Sequence, residues 1–347
     1  MESTGGRTSG IAEQETNPGG TAVVLNIDKY PLCAGEYSMK KKTLLDVERK
    51  KPSKKREVIF IVIMLLPAVI LTLWQIYLPV IEGIGMAFQN YNLYNLSKIR
   101  FVGLENFKNL LEPSPFNSFY GTIGNTIVYV FGSLIPQLFI GFALALLLQK
   151  RFRGRSLYQG IVFVPWALSG FIIGIMWRWM FNGSGGVFND LLMKLGLISE
   201  PVAWLSSKST AMLSVIIANV WYGIPFFTIM ITAALQSVPM DLYEAAAVDG
   251  ANAFVRFRVV TLPHIKSVLI LTTLLRVIWI FNGPETIMAM TNGGPAGATE
   301  IMTSYMYNQI TVGMDYGKAS AVGVICLLIM IAYTIIYLNV TKFTSEE

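Results

Sequence analysis

Residues capable of chemistry are sparse in this chain, and none has the spacing of an enzyme active site. The sole histidine, His264, lies beside Pro263, and the apolar segments hold no Ser-His or Cys-His arrangement and no paired carboxylates. Acid–base and nucleophilic catalysis need such groupings. Cys33 and Cys326 are far apart in the sequence, and no metal-ligand spacing occurs. We therefore predict no catalytic residue, no disulfide and no metal site.

Glycine-rich stretches do not match the loops that hold nucleotide phosphates. The nearest approach to a P-loop, residues 313–319, has the wrong spacing and lacks the hydroxyl that would hold magnesium. Residues 183–186 follow an apolar segment and open no βαβ unit, so a dinucleotide fingerprint is excluded as well. The chain is predicted to bind no cofactor and no ATP by itself.

The elements that must position any site are long apolar segments. Of the 347 residues, 53% are hydrophobic and 14% are charged, and the mean hydropathy is +0.53. A membrane-spanning helix needs about 20 apolar residues, whereas a spanning strand would show about ten residues of alternating polarity. The sequence predicts an all-α polytopic membrane protein with about six transmembrane helices. Their predicted ranges are 58–80, 122–148, 157–180, 211–234, 265–281 and 319–340.

Two of these spans contain residues that are unusual in lipid. The fourth includes Gly223 and Pro225, and the backbone groups that a proline frees must face protein or water. We therefore expect a kink there, beside a cavity. The fifth includes Arg276, and a charge within the membrane usually faces a cavity or a partner. Arg276 is predicted either to line a pathway or to form a structural pair in an assembly.

Lysine and arginine predict the orientation of the chain. Basic residues cluster in 40–56 and 150–155 and recur in 256–266, whereas 282–317 contains none. The basic segments should be cytoplasmic, which places both termini inside. These juxtamembrane clusters are typical of contact with anionic lipid, and we predict no nucleic-acid partner.

The chain divides into an amino-terminal tail, residues 1–57, and a transmembrane domain, residues 58–347. The tail is rich in Gly, Thr, Ser and Glu and ends in a basic cluster. We expect it to be largely disordered and cytoplasmic, with a regulatory or assembly role as the alternative. It lacks a positive start followed by an apolar core, so a cleaved signal peptide is not expected.

The connection between the fourth and fifth spans, residues 236–266, carries signals of defined structure. Asp241 suits a helix start, and Gly250 suits a helix end because glycine tolerates positive φ. A second short helix is expected at 253–260, running to Pro263. The segment is predicted to be a helix–turn–helix on the cytoplasmic face, either a docking element or a surface connection.

This segment resembles the Glu-Ala-Ala loop of binding-protein-dependent ABC importer permeases. The family pattern is Glu-Ala-Ala-x-x-Asp-Gly-Ala, followed by a hydrophobic stretch and Leu-Pro. The resemblance implies that the helix seats in a cleft of an ATPase subunit and moves with it. The matching positions, to which this coupling role transfers, are Glu244, Ala245, Ala246, Asp249, Gly250, Ala251, Leu262 and Pro263.

Residues beyond the coupling segment are similar to the carbohydrate branch of the same family. The stretch from Arg276 to Asn282 is followed by Thr291-Asn-Gly-Gly-Pro295, although Gly283-Pro-Glu285 departs from the usual Phe-Asp. The likeness runs from about residue 58 to the carboxyl end. Within the branch, the chain looks like the larger, maltose-type or glycerol-phosphate-type member of a permease pair.

The resemblance implies a fold, a function and an assembly. The fold would be that of type I ABC importer permeases with a cytoplasmic coupling helix, and the function would be ATP-driven import of a sugar or oligosaccharide. The implied partners are a second permease, two ATPase subunits that hold ATP and Mg²⁺, and an extracellular or periplasmic substrate-binding protein. The implied location is the cytoplasmic membrane of a bacterium or archaeon.

Candidate substrate contacts follow from the chemistry of sugar binding. Sugars are held by hydrogen bonds and aromatic stacking, so amide and aromatic residues near broken helices are candidates. A spacing of three residues keeps two side chains near one helix face. Trp and Tyr also pack helices in membranes, and this alternative stays open. The candidates are Asn219, Trp221, Tyr222, Arg276, Trp279 and Asn282.

Two other classes of function compete with this prediction. A proton- or sodium-coupled secondary transporter, the main alternative, would need intramembrane carboxylates or an inverted repeat with broken helices. The spans show neither pattern clearly. A lipid-modifying membrane enzyme would need acidic or histidine residues clustered at one interface, but Glu82, Glu285 and Asp315 are scattered along the sequence.

Overall fold

The computed structural model describes residues 54–112, 119–150 and 152–343, apart from the side chain of Arg56. Within these ranges the chain is largely helical and has no named strand. Most of the predicted tail, including Cys33, lies outside the described residues. Cys326 is buried and unpaired.

Long apolar helices alternate with short connecting ones. In chain order the α-helices are α1 Lys54–Thr72, α2 Leu78–Ala87, α3 Glu105–Leu111, α4 Phe119–Gln149, α5 Arg155–Phe163, α6 Gly170–Met180, α7 Val187–Lys194, α8 Lys208–Gln236, α9 Met240–Val248, α10 Ala253–Arg256, α11 Leu262–Asn282, α12 Glu285–Met290, α13 Met302–Thr311 and α14 Tyr316–Thr341. Single turns of 3₁₀- or π-helix join some of them.

The chain separates into two compact units at Trp74. The described part of the first unit is α1, an apolar helix with Pro67 inside it. The second unit holds α2 to α14, and its core lies where α4, α8 and α11 pack together.

The predicted membrane spans are present in the structure. Five helical runs are long and apolar enough to cross a membrane, and a bent pair of helices makes up to six. The five runs are Glu57–Ala87, Phe119–Gln149, Lys208–Gln236, Ala253–Met290 and Tyr316–Thr341. The prediction of about six spans is confirmed when the bent pair is counted as one span.

The span predicted at 157–180 is broken in the structure. Arg155–Ala167 and Gly170–Met180 are bent by 100° at the break between them. Pro165 lies in a 3₁₀ turn, Val164–Ala167, and the backbone is extended at Leu168 and Ser169, which separates the two helices. The hydroxyl of Ser169 then accepts a hydrogen bond from the amide of Ile172 at 3.3 Å, which caps the new helix.

The sequence predicts a kink at Gly223 and Pro225, beside a cavity. Helix α8 runs as one element from Lys208 to Gln236 through both residues. Its extensive packing against α4 supports the helix where Pro225 removes a backbone donor. The break that the structure shows lies one span earlier, between α5 and α6.

Helices α4 and α8 run in the same direction. Leu146 and Gln149 at the end of α4 line the same groove as Met240 and Tyr243, which follow the end of α8. We call this end of the bundle the coupling end. Because both helices finish there, the chain between them must cross to the opposite end. The bent pair α5–α6 therefore traverses the bundle as a broken span.

The glycine-rich connection between α12 and α13 is compact. The hydroxyls of Thr291 and Thr299 lie 2.7 Å apart, and Thr299 donates to the carbonyl of Gly294 at 2.7 Å. The side-chain Nδ2 of Asn125 on α4 donates to the carbonyl of Gly297 at 2.9 Å. These bonds fix the end of the bundle opposite the coupling end.

Candidate functional site

One cavity gathers most of the residues that the sequence marks as substrate contacts. Its volume is about 370 Å³, which falls in the usual range of small-molecule pockets, roughly 300–1,000 Å³. The predicted residues that line it are Asn219, Tyr222, Arg276, Trp279 and Asn282. The spacing of three along α8 and α11 thus brings them to one place.

Trp221 does not line this cavity. Its ring packs edge-on against Trp177 of α6, with 5.9 Å between the ring centroids. Successive helical residues are separated by about 100° around the axis, so Trp221 and Tyr222 face different neighbours. The structure places Trp221 in helix packing.

Arg276 is held by a buried polar chain that joins three spans. Its Nε donates to Oε1 of Gln137 at 2.6 Å, and Nε2 of Gln137 donates to the backbone carbonyl of Asn219 at 2.9 Å. Gln137 is fully buried and Arg276 is 4% exposed. The guanidinium also lies 5.8 Å from the ring centre of Tyr222, in cation–π contact. This chain fixes the guanidinium at the wall of the cavity.

Gly223 makes room for this arrangement. A Cβ at this position would collide with the side-chain amide of Gln137 and with Nη2 of Arg276. Glycine is needed here for close approach rather than for its backbone freedom. Its place in α8 is therefore explained by the polar chain that passes beside it.

The cavity wall carries a hydrogen-bond donor with no partner. Nδ2 of Asn219 is buried and makes no hydrogen bond among the described residues, and Asn219 is 5% exposed. A buried donor left unpaired costs free energy. The amide therefore suits a ligand that supplies an acceptor.

Aromatic rings form another part of the wall. Trp279 is 45% exposed, and its ring lies 5.0 Å from that of Phe226. Trp166, at the break between α5 and α6, lies 6.4 Å from the same Phe226 ring. Phe226 thus buttresses two indoles that face the cavity, where a sugar ring could stack.

Among the residues that the sequence prediction did not assign to this site are Gln137, Trp166 and Glu285. The signal for Gln137 was available, because an amide within an apolar span is costly and usually functional. Trp166 follows Pro165 in the broken span, whose break was not predicted. Glu285 stands at the departure from the Phe-Asp pattern and lines the cavity.

The coupling segment begins with a well-defined helix. Helix α9 ends at Val248, and Gly250 has a φ of +76°, as its predicted helix-ending role requires. The amides of Gly250 and Ala251 donate to the carbonyls of Ala247 and Ala246, which closes the helix end. The side chain of Glu244 is exposed on this helix. Ala245 and Asp249 are also exposed, whereas Ala246 and Ala251 are half-buried.

The second half of the coupling segment differs from the prediction. No separate helix at 253–260 lies on the surface, because α10 continues through a π-turn, Phe257–Thr261, directly into α11. Pro263 follows this turn in the first turn of α11, where its missing donor is tolerated. The segment thus consists of the separate helix α9, a turn, and α10, which lengthens the fifth span at the coupling end.

A groove of about 620 Å³ lies beside α9 at the coupling end. The hydroxyl of Tyr243 lies 2.9 Å from that of Thr261 and ties α9 to the base of α11. Phe254 is 71% exposed and Val248 is 88% exposed. Nε of Arg256, which lines the groove, is buried without a hydrogen-bond partner among the described residues.

A polar cavity between membrane-spanning helices and an ordered segment at one bundle end define a membrane transport subunit. The comparison of sequences specifies which one. Residues 137–345 match the family described as the binding-protein-dependent transport system inner membrane component. The chain belongs to this family.

Relatives with known roles cover most of the chain. It is 36% identical over 284 residues to the trehalose/maltose transport system permease protein MalF of Thermococcus litoralis, spanning 82% of this chain and 94% of that protein. It is 29% identical to the galactooligosaccharides transport system permease protein GanP of Bacillus subtilis, spanning 81% of this chain and 70% of that protein.

A solved structure supports the fold. The chain matches a subunit of a bacterial ABC transporter involved in the import of the acidic polysaccharide alginate, with a TM-score of 0.71 and 26% identity. The match covers 83% of this chain and 96% of that one. The fold is therefore that of an ABC importer permease.

Proposed function

We propose that this chain is the membrane permease of an ATP-driven sugar or oligosaccharide importer. The observation that carries the proposal is the cavity, where residues of α8 and α11 combine aromatic faces with amide and guanidinium donors. The sugar permeases among the relatives support the same substrate class. The cavity would be this subunit's share of the translocation pathway.

The coupling segment would transmit the motion of the ATPase subunits. Those partners would bind ATP and Mg²⁺. Helix α9 would dock in a cleft of one ATPase subunit and move with it as a rigid body. Glu244 and Asp249 are exposed and available to pair with basic residues there. Because α10 is continuous with α11, a displacement at the coupling end would reach the cavity along one helix.

The complete importer would contain further partners. A second, distinct permease would supply the other half of the pathway, and a substrate-binding protein would deliver the sugar from outside. The distribution of basic residues supports a coupling end that faces the cytoplasm, and both termini would lie on that side.

Transport in vesicles tests the proposal against the alternative of secondary transport. The purified complex is reconstituted in proteoliposomes with its binding protein, and sugar uptake is measured with ATP inside or with a proton or sodium gradient. We expect uptake that requires hydrolysable ATP and is insensitive to ionophores. Uptake driven by an ion gradient without ATP would show that the protein is a secondary transporter.

A further inference from the structure

The cavity contains two opposite charges that do not pair with each other. Arg276 and Glu285 both line it, yet among the described residues no ion pair within 4.0 Å joins them. Glu285 also has no hydrogen-bond partner in the described parts of the chain. The cavity therefore presents a hydrogen-bond donor, the Arg276 guanidinium, and an acceptor, the Glu285 carboxylate, that do not contact each other.

The positions of the two groups are fixed in different ways. Arg276 is buried and held by Gln137, so only its terminal nitrogens remain for a ligand. Glu285 begins α12, is exposed, and has a carboxylate oxygen near Gly283 at the turn between α11 and α12. The guanidinium thus forms the inner wall of the cavity, and the carboxylate stands in its accessible part.

A sugar hydroxyl suits this division because it can both donate and accept a hydrogen bond. One hydroxyl can accept from Arg276 or Asn219 while a neighbouring hydroxyl donates to Glu285. A ligand carboxylate can only accept when it is ionised. In a cavity of about 370 Å³ it would lie within a Debye length, about 8 Å, of both charges, so repulsion by Glu285 would offset the attraction of Arg276.

We propose that Glu285 determines substrate specificity in this cavity, by accepting hydrogen bonds from the hydroxyls of neutral saccharides and excluding saccharides that carry carboxylates. This inference rests on the proposed function. It assigns Glu285 a role beyond that of the aromatic and amide residues, and it selects neutral sugars within the broader carbohydrate class.

Direct binding to the purified complex in lipid nanodiscs, without the binding protein, tests the inference. The probes are maltotriose and trigalacturonate, a neutral and an acidic trisaccharide, and dissociation constants are measured by calorimetry. Wild type should bind maltotriose more tightly than trigalacturonate. Glu285→Gln removes the charge at nearly constant shape, so it should weaken maltotriose binding about tenfold and strengthen trigalacturonate binding.

Two further variants separate specificity from structure. Glu285→Asp keeps the charge, so it should still discriminate against trigalacturonate. Glu105→Gln is the matched control, because Glu105 also begins a short helix, α3, but lies outside the cavity. It should leave both dissociation constants unchanged. If Glu285 only stabilises the start of α12, Glu285→Gln would lower thermal stability without changing selectivity, which would overturn the inference.

Other outcomes also decide the question. Failure of wild type to bind maltotriose, or equal binding of both probes, would overturn the proposed selectivity. The proposed function is judged separately by ATP-dependent uptake of the wild-type complex. Retained uptake with unaltered selectivity in Glu285→Gln would reject only the role of Glu285.

Discussion

At the scale of single residues, the cavity depends on how one glycine, one glutamine and one arginine fit together. Gln137 uses both ends of its amide, accepting from Arg276 and donating to the backbone at Asn219. Gly223 leaves the space that these side chains occupy. A guanidinium in an apolar bundle is stable only with such hydrogen bonds.

Gly223→Ala should disrupt this arrangement. The added methyl group collides with Gln137 and Arg276, and overpacking of this kind costs about 1–3 kcal/mol. We expect a lower unfolding temperature and weaker uptake. The measurements are thermal unfolding of the purified protein and uptake per assembled complex.

Gly124→Ala is the matched control for Gly223→Ala. Gly124 also lies within a spanning helix, α4, but a Cβ there meets nothing within 4 Å. It should have wild-type or slightly higher stability, because alanine favours helix. Equal behaviour of the two variants would contradict the packing argument.

Trp279→Ala tests the stacking surface. Loss of the indole should raise the sugar concentration for half-maximal uptake several-fold, because aromatic stacking contributes about 1 kcal/mol. Complex yield should stay unchanged. Trp179→Ala is the control, since Trp179 is 73% exposed and lies outside the cavity. A loss of yield with unchanged uptake per complex would show that Trp279 only packs helices.

At the scale of elements, α10 and α11 form one helical path from the coupling end towards the cavity. The π-turn at Phe257–Thr261 accommodates Pro263 without interrupting it. Helix α9 stands apart, joined to this path by a glycine turn and by the contact between Tyr243 and Thr261. Movement of α9 thus has a defined mechanical connection to the span that carries Arg276.

Gly250→Val and Glu244→Lys test that connection. Valine is strained at a φ of +76°, and lysine reverses the charge on the exposed face of α9. Each should reduce uptake strongly while the protein remains in the membrane. Uptake and the amount of ATPase that copurifies are measured together. Full ATP-dependent uptake by either variant would refute the docking role of α9.

The sequence predicted the helices well where the signal was local. Apolar length identified the spans, and Gly250 identified the end of α9. The break between α5 and α6 was missed because Pro165 and Ser169 lie inside a continuous apolar stretch. The bond between Gln137 and Arg276 joins residues 139 positions apart, so no local pattern could reveal it. Spacing alone likewise could not show that Tyr222 lines the cavity whereas Trp221 packs against Trp177.

At the scale of the whole molecule, the parallel course of α4 and α8 sets the topology. Both helices end at the coupling end, so the connections that follow them share one side of the membrane. The connections that contain Ser184 and Ala296 then lie on the other side. This arrangement agrees with the distribution of basic residues, which favours the coupling end as cytoplasmic.

Cysteine labelling in intact cells tests this orientation. Single cysteines at Ser184 and Ala296 should react with an impermeant thiol reagent, whereas a cysteine at Arg153 should react only after the cells are opened. Cys326 is buried, and a parent protein with Cys33 and Cys326 replaced by serine and alanine serves as the background. Opposite labelling would invert the orientation.

The broken span has a consequence for how the protein is made. Neither half reaches the about 20 residues that an inserting helix needs, since α6 has 11 residues. Helix α6 packs mainly on α12, which leaves the ribosome more than a hundred residues later in the chain. The nascent segment must therefore enter the bilayer before its native neighbour exists. Its packing on α12 can be completed only near the end of translation, so this span is among the last to reach its final contacts.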